Sequence, residues 1–317
     1  MAYDAETLAQ VGEFAVIRRL VAGRRQPDAV ALGPGDDAAV LFAPDGKTVV
    51  STDMLVAERH FRLDWSTPHD VGRKAIAQNA ADIEAMGARA TAFVVAFGAP
   101  SDTPAAQALQ LADGMWREAE SMGAGIVGGD LVSAPRWVIS VTALGDLDGR
   151  EPVRRGGARP GDVVAIAGDI GCSAAGFELW RNDIRRFDEL RSCHVAPRPP
   201  YGQGRIAAEN GATAMTDVSD GLLADLGHIA EASGVGIDLS TAALTADRDV
   251  LAGAAEAVGA DAWAWILGGG EDHALVATFP GAPPSGWREI GCVQEGPERV
   301  SVDGAAWQGN AGWQSFD

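Results

Sequence analysis

Aspartates recur in this chain wherever glycine or a strand end would let backbone come close to a ligand. Asp36 and Asp37 follow Gly33-Pro34-Gly35. Asp53 closes Ser51-Thr52-Asp53, and Asp130 follows Gly128-Gly129. Asp217 and Asp220 share TDVSDG at 216–221, and Glu271 and Asp272 close GGGED at 268–272. Such places concentrate binding and catalytic groups. Hard cations such as Mg²⁺ take oxygen ligands, and a few carboxylates hold them while they bridge substrate phosphates. Asp82 stands apart. It falls inside a helical stretch, in line with Lys74 and Gln78 and beside Ile83 and Met86, where a carboxylate needs a partner. Each acid also has a plainer reading, because Asp in a glycine turn is commonly a turn former or helix cap. Asp45 in Pro44-Asp45-Gly46 is read as a turn residue, and Asp220 reads equally as an N-cap. Asp45-Gly46-Lys47-Thr48 is a decoy. A phosphate-binding G-x-x-x-x-G-K-[ST] loop needs glycine at position 41, which is Leu41, and the segment reads as strand–turn–strand.

The elements that must position these acids alternate. Phe14, Ile17 and Val21 fall at helical spacing within 12–22. Residues 38–42 and 48–52 read as strands joined by Pro44-Asp45-Gly46. A helix is expected over 68–86, with Pro68 in its first turn and Gly87 past its end. A strand at 91–98, a helix at 104–122 and strands at 125–127 and 137–144 follow, a pattern that predicts an α/β layer. The punctuated stretch 145–161 is the candidate domain boundary, dividing the chain into 1–148 and 149–317. Beyond it come a strand at 162–167, a helix reaching Trp180, helices at 201–209 and 220–232, and strands at 274–279, 287–293 and 299–302. The stretch 181–198 is left without a role.

Composition narrows the function classes. The 317 residues carry 25 Lys and Arg against 44 Asp and Glu, a net charge of −19. That balance argues against nucleic acid, whose binding rests on neutralising phosphates, and against an anionic membrane surface. A phosphorylated substrate would have to be reached through cations. The hydrophobic fraction of 47% supports a large core, and no apolar run is long enough to span a bilayer. The three cysteines, Cys172, Cys193 and Cys292, show no zinc spacing. They point to a reducing compartment, read here as the cytoplasm. Cys172 sits in a glycine loop before a helix, where a thiol pKa can fall; it is read as a packing residue.

The motifs together resemble the thiamine-monophosphate kinase family. Those enzymes are ATP-dependent kinases of the superfamily that includes aminoimidazole ribonucleotide synthetase and selenophosphate synthetase. The resemblance is carried by GEFAVI at 12–17, GPGDDAAV at 33–40, STDMLVAERHF at 51–61 and KAIAQNAADIEAMGA at 74–88. It continues through VGGDLV at 127–132, RRGGARPGD at 154–162, GDIGCSAAGFEL at 168–179, TDVSDGLLADLGHIAEASG at 216–234 and GGGEDHALV at 268–276. Each is modest alone, but the ordered set covers nearly the whole chain.

The resemblance implies a two-domain α/β (α+β) fold like that of aminoimidazole ribonucleotide synthetase. An N-terminal sheet domain would bind ATP and Mg²⁺ and form a homodimer, and a C-terminal α/β domain would complete the active-site cleft. The implied reaction moves a phosphoryl group from ATP to thiamine monophosphate with several Mg²⁺ ions. By the same resemblance Asp36, Ser51, Thr52, Asp53, Asp82, Asp130, Asp217 and Asp220 are metal ligands. Gly129, Asp130, Arg155 and Ser219 contact the nucleotide, with Arg154 the alternative register for Arg155. Asp53, Asp130, Arg155 and Asp217 carry the catalytic step, and His60, Glu271 and Trp313 contact the substrate, Trp313 by stacking on the thiamine ring.

Two alternatives remain at this point. One is another ATP-using enzyme of the superfamily. Selenophosphate synthetase is disfavoured because no cysteine precedes Cys172, and aminoimidazole ribonucleotide synthetase by the STD-x₆-HF arrangement. The other is a non-catalytic divalent-metal and nucleotide-binding protein.

Overall fold

The computed structural model describes residues 6–34 and 38–313. Asp36, with its neighbours 35 and 37, lies outside the described residues. The chain forms two compact units, Met1–Ile83 with Arg89–Gly149, and Glu84–Ala88 with Arg150–Asp317. Both mix helices with β-sheet, so the α/β two-domain class is the one observed.

The N-terminal unit begins with α1 (Leu8–Val11) and α2 (Glu13–Val21), then β1 (Val30–Leu32), β2 (Val40–Leu41) and β3 (Val49–Val56). Next come α3 (Pro68–Ala85), β4 (Arg89–Ala99), α4 (Ala105–Ser121), β5 (Gly125–Ser133) and β6 (Val138–Asp146). Its main sheet has the order β3-β6-β4-β5, with β4 and β5 parallel and the other pairs antiparallel. Helix α3 starts on a reciprocal cap: Thr67 Oγ1 accepts from Asp70 N at 3.2 Å, and Asp70 Oδ2 accepts from Thr67 N at 3.2 Å. Pro68 at the first position needs no amide partner. The helix is buried nearly all round, including Lys74, Gln78 and Asn79. It is a central element, and polar groups on it must find partners.

Several sequence expectations change here. The 38–42 and 48–52 strands do not form a hairpin, because β2 pairs with β1 and β3 with β6. The turn does form, with Gly46 N donating to Ala43 O at 3.0 Å and Lys47 N to Asp45 Oδ1 at 2.9 Å. In α2 the buried residue is Val16, while Phe14 is 72% exposed, so the helix turns a different face inward than Phe14, Ile17 and Val21 predicted. Asp53 is not at a strand end. Pairing with β6 continues to Val56 opposite Val138. Gly129 and Asp130 likewise lie in strand rather than loop, because β5 follows β4 through Val95 opposite Gly129 and Ala96 opposite Asp130.

The C-terminal unit runs β7 (Val163–Ala167), α5 (Cys172–Arg181), α6 (Asp188–Val195), α7 (Gln203–Glu209), β8 (Ala214–Asp217) and α8 (Leu222–Ser233). It continues with β9 (Gly236–Leu239), α9 (Thr245–Val258), α10 (Ala262–Gly268), β10 (Leu275–Phe279), β11 (Arg288–Gln294) and β12 (Val300–Val302). The six strands are ordered β12-β9-β11-β7-β10-β8, antiparallel except for β12 with β9. Successive side chains on a strand point to opposite faces, and both faces here are covered. Val164, Ile166, Ala214 and Val276 enter one apolar cluster; Ala165, Ala167, Met215, Leu275, Ala277 and Phe279 enter another. That is why β7, Val-Val-Ala-Ile-Ala, reads as an unbroken apolar run.

Candidate functional site

In the N-terminal unit, the alternation of β3 sends Ser51, Asp53 and Leu55 toward α3 and leaves Val50, Thr52 and Met54 on the opposite face. Gln78 and Asp82 stand one turn apart on α3 and meet the inward residues. Ser51 Oγ donates to Asp82 Oδ2 at 2.6 Å, which supplies the partner that a mid-helix carboxylate requires. Gln78 Nε2 donates to Asp53 Oδ2 at 3.2 Å, and Asp53 N donates to Asn79 Oδ1 at 2.9 Å. Ser51, Asp53 and Asp82 therefore form one oxygen-rich patch. Thr52 does not join it; its Oγ1 donates to Val141 O at 2.9 Å.

Asp130 also faces away. Its register row holds Ala96, Ser140 and Met54, whereas Asp53 shares a row with Val141, Val95 and Gly129. The Asp130 Oδ1 accepts from Leu131 N at 2.9 Å. His60 Nδ1 accepts from Val56 N at 3.0 Å, which fixes the ring, and the buried Lys74 Nζ donates to His60 O at 2.9 Å.

In the C-terminal unit, Asp217 ends β8 and is buried, with Oδ2 at 3.1 Å from His273 Nδ1. Asp220 does not cap α8. The helix begins after Gly221, and Asp225 reaches back from inside it: its Oδ2 accepts from Asp220 N and from Gly221 N, each at 3.0 Å. The Asp220 carboxyl is thus released from capping. Burial, then the charge of Asp217, pushes its pKa up, opposed by His228, His273 and Arg155. Burial and Asp217 likewise push Asp225 up to about 7. Arg155 Nε donates to Thr216 Oγ1 at 3.3 Å, and its charge acts on Asp220.

The glycine loop 268–273 is laced against 217–220. Glu271 N donates to Ser219 O at 2.7 Å and His273 N to Val218 O at 2.9 Å. A Cβ on Gly270 would lie 2.6 Å from Ser219 O, so only glycine permits this approach. Glu271 and His273 hold positive φ, 63° and 54°, a strained backbone of the kind that clusters at functional sites. Asp272 is buried and anchors the loop, accepting from Gly171 N at 2.6 Å and Ser173 N at 2.8 Å. Burial pushes its pKa up to about 7, opposed by those two bonds. Trp313 is 57% exposed, and its N donates to Asp220 O at 2.9 Å.

Gln78 and Asp82 at i and i+4 were a readable signal for the first patch. Asn79, His273 and Asp225 were not singled out; Asn79 and His273 meet their side-chain partners only through the tertiary fold. Among the described residues, no three acid, cysteine or histidine side chains converge as a ready metal cage. Mg²⁺ is commonly bound through one or two carboxylates together with waters and substrate phosphates. The hard oxygen donors Ser51, Asp53 and Asp82 fit it, as do Asp217 and Asp220.

Residues 35–147 match the model of the AIR synthase related protein N-terminal domain, and residues 159–264 that of its C-terminal domain. The fold and its acid-bearing elements are those of an AIR synthase related protein. A thiamine-monophosphate kinase of Mycobacterium tuberculosis is 70% identical over 316 residues, covering 100% of this chain and 95% of the relative. One of Corynebacterium glutamicum is 46% identical over 323 residues, covering 99% and 96%. The chain belongs to the thiamine-monophosphate kinase family. A solved structure of AaThiL complexed with AMPPCP and TMP is 30% identical, with a TM-score of 0.79 over 98% of this chain and 99% of that one.

Proposed function

We propose that the chain transfers the γ-phosphoryl group of ATP to thiamine monophosphate, giving ADP and thiamine diphosphate. The observation that carries this is 70% identity to a thiamine-monophosphate kinase along the whole chain. It is supported by the oxygen patch of Ser51, Asp53 and Asp82, which suits a phosphate-bridging cation. The nucleophile is a phosphate oxygen of the substrate, already anionic near neutral pH, so no strong general base is required. The chain's task is alignment of the two phosphates and compensation of their charge.

Ser51, Asp53 and Asp82 would hold Mg²⁺ in the N-terminal unit, and Asp217 and Asp220 in the C-terminal unit; the ions would neutralise charge on the phosphates. Asp36, Thr52 and Asp130 belong to the proposed metal set by motif alone. Arg155 would bear on a transferring or leaving phosphate, with Gly129 and Ser219 near the nucleotide. His60, Glu271 and Trp313 would contact thiamine monophosphate. Trp313, exposed and tied by its backbone to Asp220, would offer an aromatic face to the cationic thiazolium.

Val50, Met54, Val94 and Val132 are exposed and lie on one face of the β3-β6-β4-β5 sheet. An apolar sheet face of this kind suits a second copy of the chain, which supports a homodimer. No helix among the described residues is long and apolar enough to cross a membrane, and the cytoplasm is the proposed compartment.

The test is chromatographic detection of thiamine diphosphate from purified protein, ATP, Mg²⁺ and thiamine monophosphate. Product that disappears with EDTA is expected. Folded protein that binds ATP and Mg²⁺ yet forms no product would overturn the reading in favour of a binding role.

A further inference from the structure

The stretch 181–198, left without a role by its sequence, supplies a neighbour to the glycine loop. His194 lies near the end of α6, with its Nδ1 3.5 Å from Glu271 Oε2 and 3.2 Å from Ser173 Oγ. Three elements meet at this point: α6, the loop before β10 and the first turn of α5. Phe177, one turn further along α5, packs edge-to-face on the imidazole with ring centroids 5.3 Å apart. Gly176 permits the close approach of α6. A Cβ there would lie 2.3 Å from Leu190 O and 3.0 Å from His194 Cβ.

The chemistry of the cluster fixes the ring. A bare ring nitrogen facing a carboxylate would be repelled by it, so the proton sits on Nδ1, and Ser173 Oγ accepts from it. Ser173 is itself held, because its N donates to Asp272 Oδ1 at 2.8 Å. The His194 side chain is 11% exposed, so it acts through its neighbours rather than on a ligand. The Glu271 side chain is 34% exposed and stays open to one.

We propose that His194 is a positioning residue for thiamine monophosphate, holding the Glu271 carboxylate in the rotamer that meets the substrate. This rests on the kinase reading above, in which Glu271 contacts that substrate. The Glu271 backbone is already set, by the bond from its N to Ser219 O and by its φ of 63°. Its side-chain torsions are not set by that backbone. A carboxylate repels the substrate phosphate, so its place is against the cationic or N–H-bearing rings. A loose carboxylate must be ordered when substrate binds; with His194 beside it, the ordering precedes binding. The contact is made equally before and during phosphoryl transfer, so its loss falls on KM rather than on kcat.

The experiment is steady-state kinetics of thiamine diphosphate formation by the full-length chain, with each substrate varied in turn. His194→Ala should raise KM for thiamine monophosphate about tenfold, with kcat within about twofold of wild type and KM for ATP unchanged. His194→Asn, whose amide can donate from near the Nδ1 position, should recover most of that loss. In a Glu271→Gln background, His194→Ala should raise KM by less than about twofold further, because the ring then has no carboxylate to hold. An unchanged KM in folded His194→Ala, a lowered kcat with both KM values moved together, or an undiminished effect in the Glu271→Gln background would each overturn the proposal and leave the kinase reading in place. No product from wild type would overturn that reading and the proposal with it. Circular dichroism against wild type identifies a variant that fails to fold. For His194→Ala, the replacement is then His194→Phe, which keeps a ring against Phe177 without the nitrogen and carries the same expected result.

Discussion

In the N-terminal unit the acids are held by neutral donors: Ser51 binds Asp82, while Gln78 and Asn79 hold Asp53 by side chain and backbone. In the C-terminal unit the acids bear on one another. Asp217 raises both Asp220 and Asp225, and its own direct partner is His273 at 3.1 Å. The first arrangement fixes oxygen positions with little electrostatic cost. The second keeps negative charge partly buried, which a cation would relieve. One patch is shaped before anything binds; the other gains most from what binds.

The largest expected effect breaks the first patch. Asp53→Ala should lower turnover by about 10²–10³-fold, the scale of losing one preorganised electrostatic group. Its melting temperature should stay within a few degrees, because Asn79 and Gln78 remain packed on α3. Steady-state kinetics with a thermal melt checks both. A second test sharpens the geometry. Asp130 faces the other side of the sheet from Asp53, so the logarithmic losses of Asp53→Ala and Asp130→Ala should add in the double variant. A double variant no worse than the weaker single one would mean that the two carboxylates serve one ion.

The next effect falls on stability in the second region. His273→Ala leaves the buried Asp217 carboxyl without its partner and should cost about 1–3 kcal/mol in urea unfolding. Smallest is a pH effect at Asp272. Its folded pKa is raised from 3.8 to about 7, so the native state binds the proton more tightly than the unfolded chain does. Its contribution to stability therefore falls as pH rises from about 3.8 to about 7 and is level above that. Asp272→Asn should remove this slope from a series of melts between those pH values, while its own loss of a backbone bond lowers all of them together.

Much of the N-terminal unit was legible because proline and glycine punctuate its longest helix and β3 alternates in burial. Pro68 and Gly87 marked α3 almost to its ends. The register was not legible. Local turn chemistry at Pro44-Asp45-Gly46 favoured a hairpin, but the long pairing of β3 with β6 prevailed. The same long-range pairing carried Asp53 and Asp130 into strand interiors. In the C-terminal unit α9 and α10 escaped notice. In α9 the inward face is Leu251, Ala254 and Ala255, while Val250 is 66% exposed, so its hydrophobic pattern is weak. The acids themselves were readable from glycine and strand context. Their partners His273, Asn79 and Asp225 were not, because tertiary folding brings them there.

The direct test of the account is the Mg²⁺ dependence of thiamine diphosphate formation in wild type, Asp53→Asn and Asp217→Asn at saturating nucleotide. Both substitutions should raise the Mg²⁺ concentration at half-maximal rate by about tenfold or more, with the fold retained by circular dichroism. Folded variants with lowered turnover but an unchanged Mg²⁺ midpoint would contradict the claim that these carboxylates hold the metal.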